Sequence, residues 1–198
     1  MSTVAAASNR LVLADLLPGA LARDALLVVG GAGLTGLAAQ VSIVTPLSPV
    51  PFTLQTLTVL VTGAALGTVR GVLSMLLYLL AGMAGVPWFA GHTHGVGGPA
   101  FGYLIGFVLA AGLVGALARR GADRHVVSTV LLMAAGSVVI YAVGTVWLAR
   151  DLDLGVAKAF DLGVRPFLAT DAIKLGIAAL AFPAAWRFSR PRDNRDRD

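Results

Sequence analysis

Six apolar segments, most of them long enough to cross a lipid bilayer, constrain this chain more than any other feature of its sequence. They cover residues 25–46, 52–67, 71–90, 99–118, 126–149 and 167–186. A helix needs about 20 apolar residues to cross the hydrocarbon core. With 57% hydrophobic and 13% charged residues, the chain has too little polar sequence to cover the surface of a soluble domain. The sequence therefore predicts an all-α membrane protein with six transmembrane helices.

The second and third segments are predicted to be separate helices, although only a short break divides them. A single helix from Phe52 to Gly85 would be about 50 Å long at about 1.5 Å per residue, against about 30 Å of hydrocarbon. We expect the break at residues 67–71, in the sequence GTVRG.

The positively charged residues between the segments set the predicted orientation, because cytoplasmic loops carry an excess of arginine and lysine. With the N-terminus inside, the outer side holds only Arg150, Lys158 and Arg165. The cytoplasmic set is Arg10, Arg23, Arg70, Arg119, Arg120, Arg124, Arg187, Arg190, Arg192, Arg195 and Arg197. Both termini are therefore predicted to be cytoplasmic, and the loops 47–52, 86–98 and 150–166 to face outward.

This orientation divides the chain into three parts. Residues 1–24 are predicted to form a cytoplasmic amphipathic segment, residues 25–186 a six-helix membrane-embedded domain, and residues 187–198 a charged cytoplasmic tail.

The sequence GAGLTG at residues 31–36 matches the G-x-G-x-x-G pattern of dinucleotide-binding proteins. That function requires an acidic residue about 20 positions further on, and no acidic residue occurs between Asp24 and Asp123. We interpret the segment instead as a small-residue helix surface in which Ala32 and Gly36 allow another helix to approach closely. That helix could belong to this chain or to a separate membrane protein.

Several classes of chemistry are disfavoured by the residues present. His92 and His94 could suit a metal, but the chain has no cysteine and no glutamate to complete a coordination shell, so no metal site and no cofactor are predicted. The histidines lie in loops away from the serines of the spans, which argues against a Ser-His enzyme. The arginines flank apolar segments and form no basic stripe, so nucleic acid is not expected as a partner.

Asp171 and Lys174 lie three residues apart at the start of the sixth segment, in the sequence TDAIKLG, and so share one face of a helix. Ionisable side chains inside a membrane span are costly and usually face a cavity or a partner. Two interpretations stay open, and they can coexist: an internal pair that holds two helices together, and part of a polar ligand site.

Further candidate ligand residues come from the other outward loops and the neighbouring spans. The loop SPVPFTLQT, residues 48–56, is stiffened by two prolines and contributes Phe52 and the hydrogen-bonding Gln55. Phe89 comes from the second loop, and Tyr78 and Tyr103 come from the third and fourth spans, where a packing or interfacial role is an equal alternative. Together these groups suit a small amphipathic molecule with an anionic end and hydrogen-bonding groups.

Three stretches of the chain carry a resemblance to a known family. They are SPVPFTLQTLTVLVTGAALGTVRGVLSMLLYLLAGMAGVPWFAG, GPAFGYLIGF and LGVRPFLATDAIKLG, within residues 38–179. Their order and intervals resemble the BioY family, the substrate-capture subunits of energy-coupling-factor vitamin importers. The chain departs from the family pattern in the loop GHTHGVGGPAFGY, where a longer glycine/serine loop is common, and at Thr170, where glycine is usual.

The resemblance implies a six-helix protein of a prokaryotic cell membrane that captures biotin near its outer face. Asp171 and Lys174 would then belong to the binding site, and Phe52, Gln55 and Phe89 to loops that close over the ligand. The implied partners are membrane lipid, a membrane coupling protein and two ATPases, because the sequence contains no G-x-x-x-x-G-K-[ST].

By the same resemblance, the coupling protein is expected to dock at the small-residue surface around Ala32 and Gly36. The alternatives are capture of another vitamin on the same scaffold and biotin uptake by this chain alone. A proton-coupled carrier using the Asp171–Lys174 pair is a further alternative.

Overall fold

Long helices dominate the computed structural model, which describes residues 11–16 and 21–189. Its elements are α1 (Leu21–Gln40), β1 (Ser42–Thr45), β2 (Ser48–Thr53), α2 (Gln55–Met83), α3 (Phe101–Ala118), α4 (Val126–Asp151), α5 (Val156–Gly163) and α6 (Leu168–Ser189). Short 3-10 turns occupy Leu13–Leu16, Ala90–His92 and Arg165–Phe167. In this part of the chain, five segments are long and apolar enough to cross a membrane: Leu21–Gln40, Gln55–Met83, Phe101–Ala118, Val126–Asp151 and Val156–Phe188. The prediction of a mostly helical membrane protein is confirmed at this level.

The segment after α1 forms a β-hairpin, so the prediction of a helix reaching residue 46 is wrong. Strands β1 and β2 are antiparallel, with Ser42 opposite Thr53 and Ile43 opposite Phe52. β-Branched residues favour extended strands, and the prolines at positions 46, 49 and 51 lack the N–H that a helix needs and push the preceding residues toward extended conformations. The stiff loop predicted from those prolines is therefore a strand, packed over the end of the helices.

Helix α2 doubles back on itself at Gly67, inside the predicted break. Gly67 has φ 80° and ψ 178°, a conformation available to glycine and strained for other residues. Gln55 Nε2 donates a hydrogen bond of 2.9 Å to the hydroxyl of Tyr78, although 23 residues separate them. In a straight helix those residues would be about 35 Å apart. α2 is therefore a helical hairpin with two antiparallel arms.

The helices place their connections at two ends of the bundle. The loop end carries the β-hairpin, the glycine-rich loop at residues 84–100 and α5. The turn end carries residues 11–16, the bend at Gly67 and the connection 119–125. Between the two ends, neighbouring helices approach each other closely at glycines. A Cβ added to Gly63 would lie 2.9 Å from Ala111 Cα, and one added to Gly106 would lie 3.0 Å from Ile140 Cα. α2, α3 and α4 therefore form the tightly packed centre of the fold.

The small-residue surface of α1 is used inside the chain, which corrects its prediction as a docking surface for a partner. Ala32 is 1% exposed, and a Cβ added to Gly36 would lie 3.2 Å from Trp88 Cε3. Gly31 packs equally closely against Ser74, on the second arm of α2. Of the two alternatives left open by the sequence, the structure selects close approach by another part of the same chain.

At the turn end, carboxylates of the chain are neutralised by arginines. Asp15 accepts a hydrogen bond of 2.7 Å from Arg70 Nη1, and Arg119 Nη1 lies 3.9 Å from its other oxygen. Burial raises the pKa of Asp15, but the hydrogen bond and charge of Arg70 outweigh it, so the pKa lies below its ordinary value. The 3-10 turn at Leu13–Leu16 is thereby fastened beside the bend of α2.

A second buried carboxylate lies at the turn end. Asp123 is 0% exposed and accepts a hydrogen bond of 2.6 Å from the indole N–H of Trp186, while the guanidinium of Arg124 stacks 4.6 Å from the centre of that ring. Burial raises the pKa of Asp123, and the bond from Trp186 only partly offsets it. These contacts join the 119–125 connection to the end of α6.

Candidate functional site

A cavity of about 330 Å³ opens at the loop end, between the β-hairpin, the glycine-rich loop and the ends of four helices. Its wall is formed by Pro49, Val50, Pro51, Thr53, Gln55, Thr56, Phe89, Ala90, Thr93, His94, Gly95, Gly97, Gly98, Pro99, Ala100, Phe101, Tyr103, Leu104, Phe107, Tyr141, Phe167 and Lys174. Aromatic and proline side chains make up much of this wall, and a few polar groups are grouped at the first turn of α2. Its volume and its composition are those of a site for a small organic molecule.

Lys174 anchors the polar part of the wall. Its ammonium group donates hydrogen bonds to Asp171 Oδ1 at 2.7 Å, Thr56 Oγ1 at 2.9 Å and the carbonyl oxygen of Thr53 at 2.8 Å. The Lys174 and Asp171 side chains are only 13% and 7% exposed. An ion pair this deeply buried is stable only when its remaining hydrogen-bonding groups are satisfied, as they are here. The pair therefore ties α6 to the end of β2 and the start of α2.

Tyr141 completes the surroundings of the Asp171 carboxylate. Its hydroxyl donates a short hydrogen bond to Asp171 Oδ2, and Thr56 Oγ1 donates to Oδ1 at 3.3 Å. With Lys174, three side chains thus donate to the two carboxylate oxygens. The carboxylate is held behind the wall, and its neighbours Lys174, Thr56 and Tyr141 are the groups that line the cavity.

Gln55 reaches the cavity from the first residue of α2 and is fixed by one residue of the wall, Thr53, and one behind it, Tyr78. Its Oε1 accepts from Thr53 Oγ1 at 3.2 Å and its Nε2 donates to Tyr78. Tyr78 in turn donates to the carbonyl of Trp88 at 3.2 Å, and the Trp88 indole donates to the carbonyl of Tyr78 at 2.9 Å. The second arm of α2 therefore orients the amide of Gln55.

The aromatic wall is built from ring contacts between separate elements. Phe89 packs edge-on against Tyr78, with ring centres 5.4 Å apart. Phe52 of β2 stacks on Phe167 with ring centres 4.4 Å apart, and only Phe167 lines the cavity. The hydroxyl of Tyr103 donates to the carbonyl of Gly163 at 2.8 Å, which links α3 to α5.

Four of the predicted ligand residues line the cavity and three lie directly behind it. Gln55, Phe89, Tyr103 and Lys174 are in the wall. Each of the other three contacts a wall residue: Phe52 contacts Phe167, Tyr78 contacts Gln55, and Asp171 contacts Lys174 and Tyr141. In this structure these three support the wall and do not form it, and the role of all seven as ligand residues stays a prediction.

Two polar wall residues, Thr56 and Tyr141, were not found by sequence reasoning. Thr56 directly follows Gln55, and Tyr141 is a hydroxyl-bearing residue in the middle of an apolar span. A search of every span for polar side chains would have found Tyr141, but nothing in the sequence shows that it meets Asp171, which lies 30 residues away.

The glycine-rich loop is held over the cavity at both ends. The Nε2 of Gln40 donates to the carbonyls of Trp88 and Phe89, at 3.0 and 3.3 Å, and the Trp147 indole donates to the carbonyl of Gly98 at 3.0 Å. Between these points His94 lines the cavity. Among the described residues, no group of three or more histidine, cysteine, aspartate or glutamate side chains could hold a metal ion.

The fold and the cavity define a class of protein: a helical membrane protein with several long apolar helices and a cavity at one end of its bundle. The BioY family model matches residues 6–191. Among curated proteins, the chain is 39% identical over 162 residues to the probable biotin transporter BioY of Pyrococcus horikoshii, covering 80% of this chain and 93% of the relative. It is also 39% identical to the biotin transporter BioY of Thermotoga maritima, over 79% of this chain and 86% of the relative. The chain belongs to the BioY family.

A solved structure has the same fold. It is the crystal structure of the S-component for biotin from an ECF-type ABC transporter, with a TM-score of 0.75 over 84% of this chain and 92% of that chain. The two sequences are 18% identical, so this likeness is one of fold. The family identified from sequence motifs is thus confirmed by the family model and the curated relatives.

Proposed function

We propose that this chain is a membrane S component that captures biotin at the loop end of its bundle. The observation that carries the proposal is the cavity of about 330 Å³, which combines aromatic walls with one cluster of hydrogen-bonding groups, in a member of the BioY family. Biotin has matching parts: a ureido ring with two N–H donors and a carbonyl acceptor, an apolar thioether ring and an anionic valerate tail. The protein binds and carries this molecule and is not an enzyme.

The ureido ring is assigned to the polar cluster at the first turn of α2. The Gln55 amide can both donate and accept, and the hydroxyls of Thr56 and Tyr141 offer oxygen atoms to the ureido N–H groups. From behind the wall, Asp171 accepts hydrogen bonds from Thr56, Tyr141 and Lys174 and so fixes their positions. The aromatic side chains Phe89, Phe101 and Phe167 surround the apolar ring system.

We further propose six membrane crossings, with both arms of α2 crossing separately. The fold-back at Gly67 supports this number, because an unbroken α2 of 29 residues exceeds what the hydrocarbon core requires. Arg70, Arg119 and Arg124 lie at the turn end, which is therefore assigned to the cytoplasm. The loop end, with its cavity, then faces outward across a prokaryotic cell membrane.

Energy for uptake is assigned to partner subunits of an energy-coupling module: a membrane coupling protein and two ATPases. Because Ala32 and Gly36 are occupied inside the chain, a partner on α1 would meet its outward surface, which includes Leu26, Val29 and Leu37.

Purification of a tagged chain from native membranes tests the assignment of partner subunits: ATPase subunits should co-purify. Biotin uptake by cells that lack any such ATPases would favour a solo carrier.

A binding titration tests the ligand assignment. The full chain in lipid nanodiscs is titrated with biotin, thiamine and riboflavin by isothermal calorimetry. Biotin is expected to bind at least 100-fold more tightly than the other two, because the ureido groups satisfy the buried polar cluster, which other ligands leave unpaired. Tighter binding of either competitor, or no heat with biotin, would reject the assignment.

A further inference from the structure

The hydrogen-bonding capacity of Lys174 is fully used inside the protein. An ammonium group has three N–H donors. Asp171, Thr56 and the Thr53 carbonyl accept all three at 2.7–2.9 Å. A ligand carboxylate could bind Lys174 only by displacing one of these acceptors, and loss of the bond to Asp171 would leave a buried carboxylate without its cation. The cavity therefore needs a different partner for the anionic end of its ligand.

Within the described residues, His94 is the other side chain in the cavity wall that can carry positive charge. The remaining basic residues of the loop end, Arg150, Lys158 and Arg165, do not line the cavity, and Arg165 is paired with Asp161 at 2.9 Å. The titratable groups that line the cavity with His94 are Lys174, Tyr103 and Tyr141. No carboxylate among the described residues lines the wall to compete with a ligand for the imidazole.

The backbone of the loop that carries His94 is anchored on both sides of this residue. On one side Gln40 fixes the carbonyls of Trp88 and Phe89, and a β-bridge pairs Phe89 with Thr93, directly before His94. On the other side Trp147 holds the carbonyl of Gly98. His92, two residues away, does not line the cavity.

We propose that His94 binds the carboxylate of the ligand and thereby selects molecules with an anionic tail. This inference rests on the proposed function and adds to it. The polar cluster at the first turn of α2 recognises the uncharged ureido ring, and His94 in the glycine-rich loop recognises the charged carboxylate. His94 N–H donates to the carboxylate, and the bond is strongest when the imidazole carries its positive charge.

The test compares, for each protein variant, the affinity for biotin with the affinity for a ligand that lacks the carboxylate charge. Wild type, His94→Gln and His92→Gln in nanodiscs are titrated with biotin and with biotinamide, its uncharged carboxamide, at pH 6. At pH 6, His94→Gln is expected to lose about tenfold in affinity for biotin, the low end for a hydrogen bond to a charged group, because the site is exposed. Its affinity for biotinamide should change less than about twofold, and His92→Gln should match wild type with both ligands. His94→Lys, which offers a positive charge at the same position, should retain the preference for biotin over biotinamide.

Three outcomes would overturn the inference, and they are distinguishable. If wild type binds biotin and His94→Gln retains the wild-type ratio of biotin to biotinamide affinity, the carboxylate is held elsewhere and only the role of His94 is rejected. If wild type binds neither ligand, the biotin assignment itself fails. An equal loss of both ligands in His94→Gln, with an unchanged ratio, assigns the residue to loop structure and also rejects charge recognition.

Discussion

The loop end and the turn end of the bundle both contain buried carboxylates next to cations, but they use them differently. At the turn end, Asp15 contacts Arg70 and Arg119, 2.7 and 3.9 Å away. At the loop end, Asp171 and Lys174 stand beside a cavity of about 330 Å³. The same kind of ion pair thus fastens a chain segment at one end and shapes a ligand site at the other.

The glycines at the turn end and at the loop end also differ in their surroundings. Gly67 at the turn end lies against Arg119, so a Cβ there would be 2.9 Å from Nε of that arginine. Gly95, Gly97 and Gly98 at the loop end have positive φ and no heavy atom within 4 Å of an added Cβ. Glycine therefore permits a tight contact at one end and an open, turning loop over a cavity at the other.

The largest effect is expected from Asp171→Asn, which removes the charge behind the cavity wall while keeping its shape. Lys174 then remains as a buried cation without its partner, which costs about 3 kcal/mol, and biotin affinity should fall about 100-fold. Calorimetric titration measures the loss. Asp161→Asn, which breaks the exposed pair with Arg165, is the control and should bind like wild type. A small loss equal to that of Gln55→Ala would contradict the assigned role of Asp171.

Gly67→Ala should lower stability without changing the ligand site. Its φ of 80° and ψ of 178° strain any residue with a Cβ, and Arg119 would have to move, for a cost of about 2 kcal/mol. Thermal unfolding in detergent measures this. Gly30→Ala is the matched control, because Gly30 is helical and nothing lies within 4 Å of its added Cβ, so its stability should be equal or higher. An unchanged melting temperature in Gly67→Ala would argue against the bend.

Tyr141→Phe is expected to weaken biotin binding about tenfold, because it removes one hydrogen bond to a charged group and keeps the aromatic ring in the wall. Tyr103→Phe is the comparison variant, since the Tyr103 hydroxyl binds the Gly163 carbonyl and no charged group. Tyr103→Phe should lose less biotin affinity than Tyr141→Phe. Titration of both variants measures the difference, and equal losses would remove Tyr141 from the Asp171 network.

The smallest effect is expected from Asp15→Ala at the turn end: about 1 kcal/mol of stability and no change in biotin affinity. Because the pKa of Asp15 lies below its ordinary value in the folded chain, its contribution is fully present at neutral pH. The contribution is lost as pH falls below that ordinary value. Melting temperatures of wild type and Asp15→Ala should therefore differ at pH 7 and converge as pH falls through the lowered pKa of Asp15. A constant difference would show that the charge of Asp15 plays no part.

From the sequence, only those residues of the candidate site could be predicted whose type is unusual in or beside a membrane span. Asp171 and Lys174 stand out because ionisable groups are costly in lipid, and Gln55 stands out beside stiffening prolines. Tyr141, Thr56 and Phe167 do not stand out, because the same residue types occur in spans and loops for packing alone. Only the spatial meeting of α2, α4 and the 3-10 turn Arg165–Phe167 makes them part of one wall.

The sequence by itself determined that the chain is mostly helical with long apolar segments, and it placed the break in α2 within residues 67–71. The physical reason is that bilayer thickness limits helix length, and hydropathy along the chain records this limit. The tertiary structure decided which surface of α1 is buried, that residues 42–53 form a β-hairpin, and that Asp171 supports the cavity wall from behind. These features depend on contacts between residues far apart in the chain, and a linear pattern does not contain those distances.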